Sequence, residues 1–123
     1  MAQGDVASQL MDDIDPLLLD FLREKVNSFI KWDLVRFFHD NPHAAEPAEG
    51  IARYTGRDVR TIVDELTGLV ESGVLDELDV SGVTIFRLTG DQDMRSLINQ
   101  FVRACDDRTF RVKAIYHVIH SMR

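Results

Sequence analysis

The segment Pro47-Ala48-Glu49-Gly50-Ile51-Ala52-Arg53-Tyr54-Thr55-Gly56-Arg57-Asp58 and its continuation to Leu88 decide the fold. Pro47–Tyr54 reads as a short helix, because Pro at a helix start gives up an N–H that would have no partner. Thr55-Gly56-Arg57 reads as a tight turn, and Asp58 as the N-cap of a second helix. Val59, Ile62, Val63, Leu66, Leu69 and Val70 follow on one broad helical stripe. Ser72-Gly73 ends that helix, since Gly tolerates the left-handed conformation of a helix C-terminus. The period then changes from helical to alternating. Val74–Val80 and Val83–Leu88 flank Ser81-Gly82, which is the signature of a β-hairpin.

Amphipathic helices are expected on both sides. Asp15-Pro16 opens one, with Leu18, Phe21, Leu22, Val26 and Phe29 at helical spacing. Trp32, Leu34, Val35 and Phe38 continue the pattern to about His39. Residues 16–39 fit either one long helix or two with a break near Asn27-Ser28. Asn41-Pro42 ends the run, and His43–Pro47 reads as a loop. After the hairpin, Met94, Leu97, Ile98, Phe101, Val102 and Cys105 form one stripe of a helix over 91–105. A last helix over about 108–122, capped by Asp106-Asp107, carries Ile115, Val118, Ile119 and Met122 on one side. Residues 1–14 lack periodicity and are expected to form a loose N-terminal arm, leaving 15–123 as a single domain.

At 123 residues the chain holds one compact core, with 45% hydrophobic and 28% charged residues. Apolar runs such as Leu17-Leu18-Leu19 fall far short of the ~20 residues that span a bilayer, so no membrane partner is expected. The opening residues lack the positive and apolar regions of a signal peptide, and Cys105 is the single cysteine. Both features suit a reducing cytoplasm.

The order helix, short helix, tight turn, helix, hairpin resembles the winged-helix form of the helix-turn-helix, as found in bacterial transcription regulators. Ile51-Ala52, Gly56, Thr61-Ile62, Leu66, Leu69 and Gly73-Val74-Leu75 carry the resemblance, which covers roughly residues 32–88. It implies a mainly α fold with a small antiparallel β-hairpin, extended by extra N- and C-terminal helices. The helix-turn-helix would lie at about 47–72, the wing at 74–88 and the C-terminal helices at 91–122. It also implies a non-enzymatic, DNA-associated regulator, with helix 58–72 entering the major groove. Arg60 and Thr61 would then reach bases and phosphate, and Arg53, Arg57 and Arg87 the backbone. Thr55 fills a slot that is usually apolar in this pattern. Added helices of this kind commonly form homodimers, so a second copy is an expected partner.

Charge points another way. The chain carries 14 Lys+Arg against 21 Asp+Glu, a formal −7. Residues 57–72 set Arg57 and Arg60 against Asp58, Asp64, Glu65 and Glu71. The wing sets Arg87 against Asp76, Glu77 and Asp79. Duplex binding gains affinity by neutralising phosphates, so these acids disfavour a DNA partner. The alternative is an acidic protein-interaction module that grips a partner with Val59, Val63, Asp64 and Glu65. The bland expectation for Val59 and Val63 is that they widen the core stripe. The ends differ in sign, net −5 over residues 1–24 and net +4 over residues 95–123, and could attract each other within a chain or between copies.

No constellation of residues calls for enzyme chemistry, a cofactor or a metal. His39 and His43 are four apart with Pro42 interrupting the helix that would align them, His117 and His120 have no nearby Cys and no acid after residue 107, and all four read as surface or packing residues. Cys105, at the end of an apolar stripe, reads as a small buried hydrophobe. Trp32, Phe37 and Phe38 read as core anchors.

Overall fold

The computed structural model describes residues 14–122. Its elements are α1 (Pro16–Glu24), α2 (Phe29–Asp40), β1 (Ala45–Glu46), α3 (Ala48–Thr55), α4 (Val59–Glu71), β2 (Leu75–Val80), β3 (Val83–Leu88), α5 (Gln92–Ala104) and α6 (Arg108–Ser121). The chain is mainly helical with a small antiparallel sheet, an architecture compatible with a winged helix that carries additional N- and C-terminal helices. The arm expected over 1–14 lies outside the described residues except for Ile14, which is buried in the core.

Local chemistry accounts for the boundaries. Asp15 Oδ1 accepts from the Leu17 N–H at 2.9 Å, and Pro16 opens α1. The stretch 16–39 divides into two helices because Ser28 restarts the helix, its Oγ accepting from the Lys31 N–H at 3.1 Å. Asp58 caps α4 by accepting from Arg60 N–H at 2.8 Å, and Gly56 occupies the left-handed region at φ 71° between α3 and α4. Thr55 settles its unusual slot locally, its hydroxyl donating to Ile51 O at 2.8 Å. Ser81 and Gly82 both have positive φ (53° and 84°). That is the geometry of a primed two-residue turn, whose twist matches the strands it joins.

The β2–β3 hairpin, which stands where the sequence leads one to expect a wing and takes that label, pairs from Leu75↔Leu88 to Val80↔Val83. A correction concerns His43–Pro47, expected as a loop. Within it Ala45 and Glu46 pair with Arg87 and Phe86, giving a sheet of order β1-β3-β2. Two residues suffice to cover the outer edge of β3, yet are too few to show alternation in the sequence.

The core runs through every helix. Leu18, Phe21 and Leu22 of α1, Leu34, Val35 and Phe38 of α2, Ile51 of α3, and Ile62, Leu66 and Leu69 of α4 are buried. Val74, Leu75, Phe86 and Leu88 close it from the sheet, and Ile98, Phe101, Ala114 and Val118 from α5 and α6. Phe101 is the junction. Its ring lies 5.3 Å from Phe21, 5.3 Å edge-on from Trp32 and 6.2 Å from Phe110. Phe38 is fully buried as expected, while Trp32 and Phe37 are half-buried against the core.

A second correction concerns α6. Its inner face is made by Ala114 and Val118, whereas Ile115, Ile119 and Met122 are exposed together with Val112. Helical spacing groups these residues, but it cannot say which face of a helix that is apolar on both sides will meet the core.

Candidate functional site

The face formed by α4 and the wing holds most of the residues that the sequence singles out. Arg60, Thr61 and Asp64 are exposed along the first two turns of α4. The Arg60 side chain is 89% exposed, with Nε 3.7 Å from Asp58 Oδ1. Thr61 turns its hydroxyl back to donate to Asp58 O at 2.7 Å. Arg53 is exposed on α3. Arg57 is engaged elsewhere, since its Nε donates to Asp33 Oδ2 at 3.0 Å and ties the turn before α4 to α2. Glu65 is half-buried and accepts from the Ser28 hydroxyl, tying α4 to the start of α2.

Arg87 does not join this set. It sits on the central strand opposite Asp76, with Nε 3.7 Å from Asp76 Oδ2. Its side chain projects from the sheet face opposite that of its neighbour Phe86, which packs into the core. Arg53 and Arg60 are therefore the candidate bases left without a strong anchor, and each exposed pair described here is worth little in water.

Val59 and Val63 part company. Val59 is half-buried against the core, as the bland expectation has it. Val63 is 41% exposed and lines a groove between α4 and the wing. This groove, about 470 Å³, is walled by Val63, Thr67, Val83, Thr84 and Phe86. Among the described residues the charged ones lining it are Glu49 and Glu77, with no Lys or Arg. Val80 and Val83, paired across the wing tip, are also exposed. Sequence reading missed Glu49 and Val83 because nothing local marks a residue as facing a distant helix.

Elsewhere the chemistry is quiet. The Cys105 thiol is 7% exposed, and burial pushes its pKa up to about 11 against the opposing pull of Arg36 and Arg111. A protonated, buried thiol is a poor nucleophile. His117 on α6 is held below the usual histidine range by burial first, then by Arg23 and His120. Among the described residues, no three His, Cys, Asp or Glu side chains are grouped to hold a metal ion, and no helix is long and apolar enough to cross a membrane.

No protein-family model matches the chain, and no curated protein matches it. A solved structure, titled a possible transcriptional regulator from Methanosarcina mazei Go1, is similar to it with a TM-score of 0.43 and 15% identity. That similarity covers 87% of this chain and 82% of the other. At this distance the likeness assigns neither family nor function.

Proposed function

We propose that the chain is a non-enzymatic, regulator-type module that works as a pair of copies. Its helix–wing groove receives a segment of a protein partner bearing basic and apolar side chains. The observation that carries this is the groove's composition: exposed Val63 and Val83 beside Glu49 and Glu77. Apolar side chains left in water gain about 25 cal/mol per Å² when covered. The two carboxylates favour a cationic visitor and repel phosphate. A labelled helical peptide of Lys and Leu tests this by fluorescence anisotropy. Saturable binding is expected, weakened roughly tenfold by Glu77→Lys, while an Asp/Leu peptide of equal length stays free. Equal binding to the wild type and to Glu77→Lys would overturn it.

A second reading, contact with duplex DNA, is supported by one observation. Arg60 projects into solvent beside Thr61 at the start of α4, with Arg53 also exposed. Two exposed bases amid Asp58, Asp64 and the wing acids offer little phosphate neutralisation.

The pairing of copies is supported by α6. Val112, Ile115 and Ile119 of the helix and Met122 at its C-cap leave a continuous apolar ladder exposed. Their 3-4-3 spacing is that of a coiled-coil seam. It reads the same in both directions, so an antiparallel partner sets Val112 against Met122 and Ile115 against Ile119. This is the self-complementarity that a two-fold axis requires. Charge selects the orientation. A parallel pair would place Arg108 against Arg108, whereas an antiparallel pair separates them by ~27 Å along the helix. It also brings Arg108 toward the partner's C-terminal carbonyls, where a cation is favoured.

A further inference from the structure

A second concavity, about 570 Å³, shares no lining residue with the helix–wing groove and is walled by Phe37, Asn41, Pro42, His43, Glu46 and Tyr54. Its volume lies in the range of small-molecule sites. Phe37 and Tyr54 stack with ring centroids 5.7 Å apart and planes 21° apart. Phe37 is backed edge-on by the buried Phe38 at 5.0 Å. The aromatic wall is thus anchored in the core on one side, while Tyr54, 66% exposed, faces solvent.

Glu46 and Asn41 bring acceptors to this cavity, beside the imidazole of His43 and the hydroxyl of Tyr54. Glu46 is half-buried on β1, its backbone fixed by pairing with Phe86. Among the described residues no hydrogen bond or ion pair reaches its carboxylate. The carboxylate fits against α3 where Gly50 lacks a side chain: a Cβ there would lie 2.5 Å from Glu46 Oε1. Asn41 commits its Nδ2 to Phe37 O at 2.9 Å, which leaves Oδ1 to accept. Among the described residues no Lys or Arg lines the cavity. A carboxylate without a partner, an amide oxygen and an aromatic wall together describe a receptor for a planar cation. The ring faces attract positive charge, and a carboxylate takes a forked N–H donor in bidentate fashion. The chain's net −7 draws cations toward it.

We infer that this cavity binds a small, flat organic cation of amidinium or guanidinium type. The site spans both ends of α3, with Glu46 just before it and Tyr54 near its close, so an occupant would bear directly on the helix that packs against α4. The inference does not depend on what the helix–wing groove binds.

Benzamidinium is the probe, with benzamide as its neutral isostere and benzoate as its anionic counterpart, each titrated into the full chain and followed by amide NMR. Saturable shifts confined to Glu46, Gly50, Tyr54 and their neighbours are expected with benzamidinium. Binding of benzamide should be roughly tenfold weaker or less, and benzoate should leave the spectrum unchanged. Glu46→Gln should erase the preference for the cation, and Tyr54→Ala, at an exposed position, should weaken binding without disturbing the fold. Equal response to benzamide and benzamidinium would overturn the inference. So would shifts scattered over the wing acids without saturation, or full retention of binding in both variants.

Discussion

Phe101→Ala is expected to remove about 3–5 kcal/mol of stability, the cost of deleting a large buried ring and leaving a cavity. Its neighbours Phe21, Trp32 and Phe110 come from α1, α2 and α6, while Phe101 belongs to α5. Four helices share the site, so none can move in to fill the void without leaving its other contacts. Against a typical total of about 5–15 kcal/mol such a loss is severe, and thermal unfolding should begin roughly 10–20 °C lower. Trp32 is the single tryptophan, and its emission should change in the folded variant because Phe101 meets its ring edge-on. A loss below about 1 kcal/mol, the size of an ordinary substitution, would contradict this junction. Leu17→Ala, at an exposed position of α1, serves as the control.

Ile119→Asp is expected to hold the protein as single copies at concentrations where the wild type forms pairs. The apolar ladder on α6 is short, below the ~800 Å² per partner of a standard interface, so the wild-type mass should rise with concentration from 14.0 kDa toward twice that value. Light scattering during size exclusion reads this directly. A charge in the middle of the ladder stays hydrated in the single copy and is stranded in the pair. Ile119 is exposed in the chain, so the fold itself should survive, as circular dichroism would confirm. Orientation is tested by cysteines in a Cys105→Ala background. A mixture of Ile115→Cys and Ile119→Cys proteins should form a covalent pair on oxidation. Ile115→Cys alone should not, because the antiparallel offset of ~6 Å along the helix and an interaxial distance of about 8–10 Å keep its two copies beyond disulfide reach. A wild-type mass of 14.0 kDa at every concentration, or pairs that persist in Ile119→Asp, would contradict the pairing.

Most of the architecture could be read from local patterns. Asp15, Asp58 and Asp107 cap helices where their chemistry says they should, and Ser81-Gly82 turns the hairpin. What escaped the sequence depends on distant partners. Ala45–Glu46 becomes a strand because β3 offers an open edge to it. Val63 is exposed although it shares a stripe with Ile62 and Leu66, because the broad stripe of α4 is wider than the core surface it covers. In α6, both faces are apolar, so periodicity could not choose the one that packs inward.

The candidate site was legible as a list of residues and not as an arrangement. Arg57 counts as a base in the sequence, yet Asp33, far away in the chain, occupies it. Arg87 counts as a wing base, yet strand alternation sends it away from the face it was meant to serve, toward Asp76. Glu49 and Glu77 look like ordinary solvated acids until α3, α4 and the wing bring them to one groove. Each of these facts shifts the balance of the helix–wing face from anion binding toward cation binding.

Titration of the protein into labelled mixed-sequence duplex DNA at roughly 50 mM salt tests that balance most directly, because phosphate contacts are strongest when salt is low. The electronegative groove leads us to expect no retardation for the wild type, and none for Arg60→Ala. A retarded complex that weakens steeply with added salt and is lost in Arg60→Ala would contradict the account and establish α4 as a duplex-binding helix.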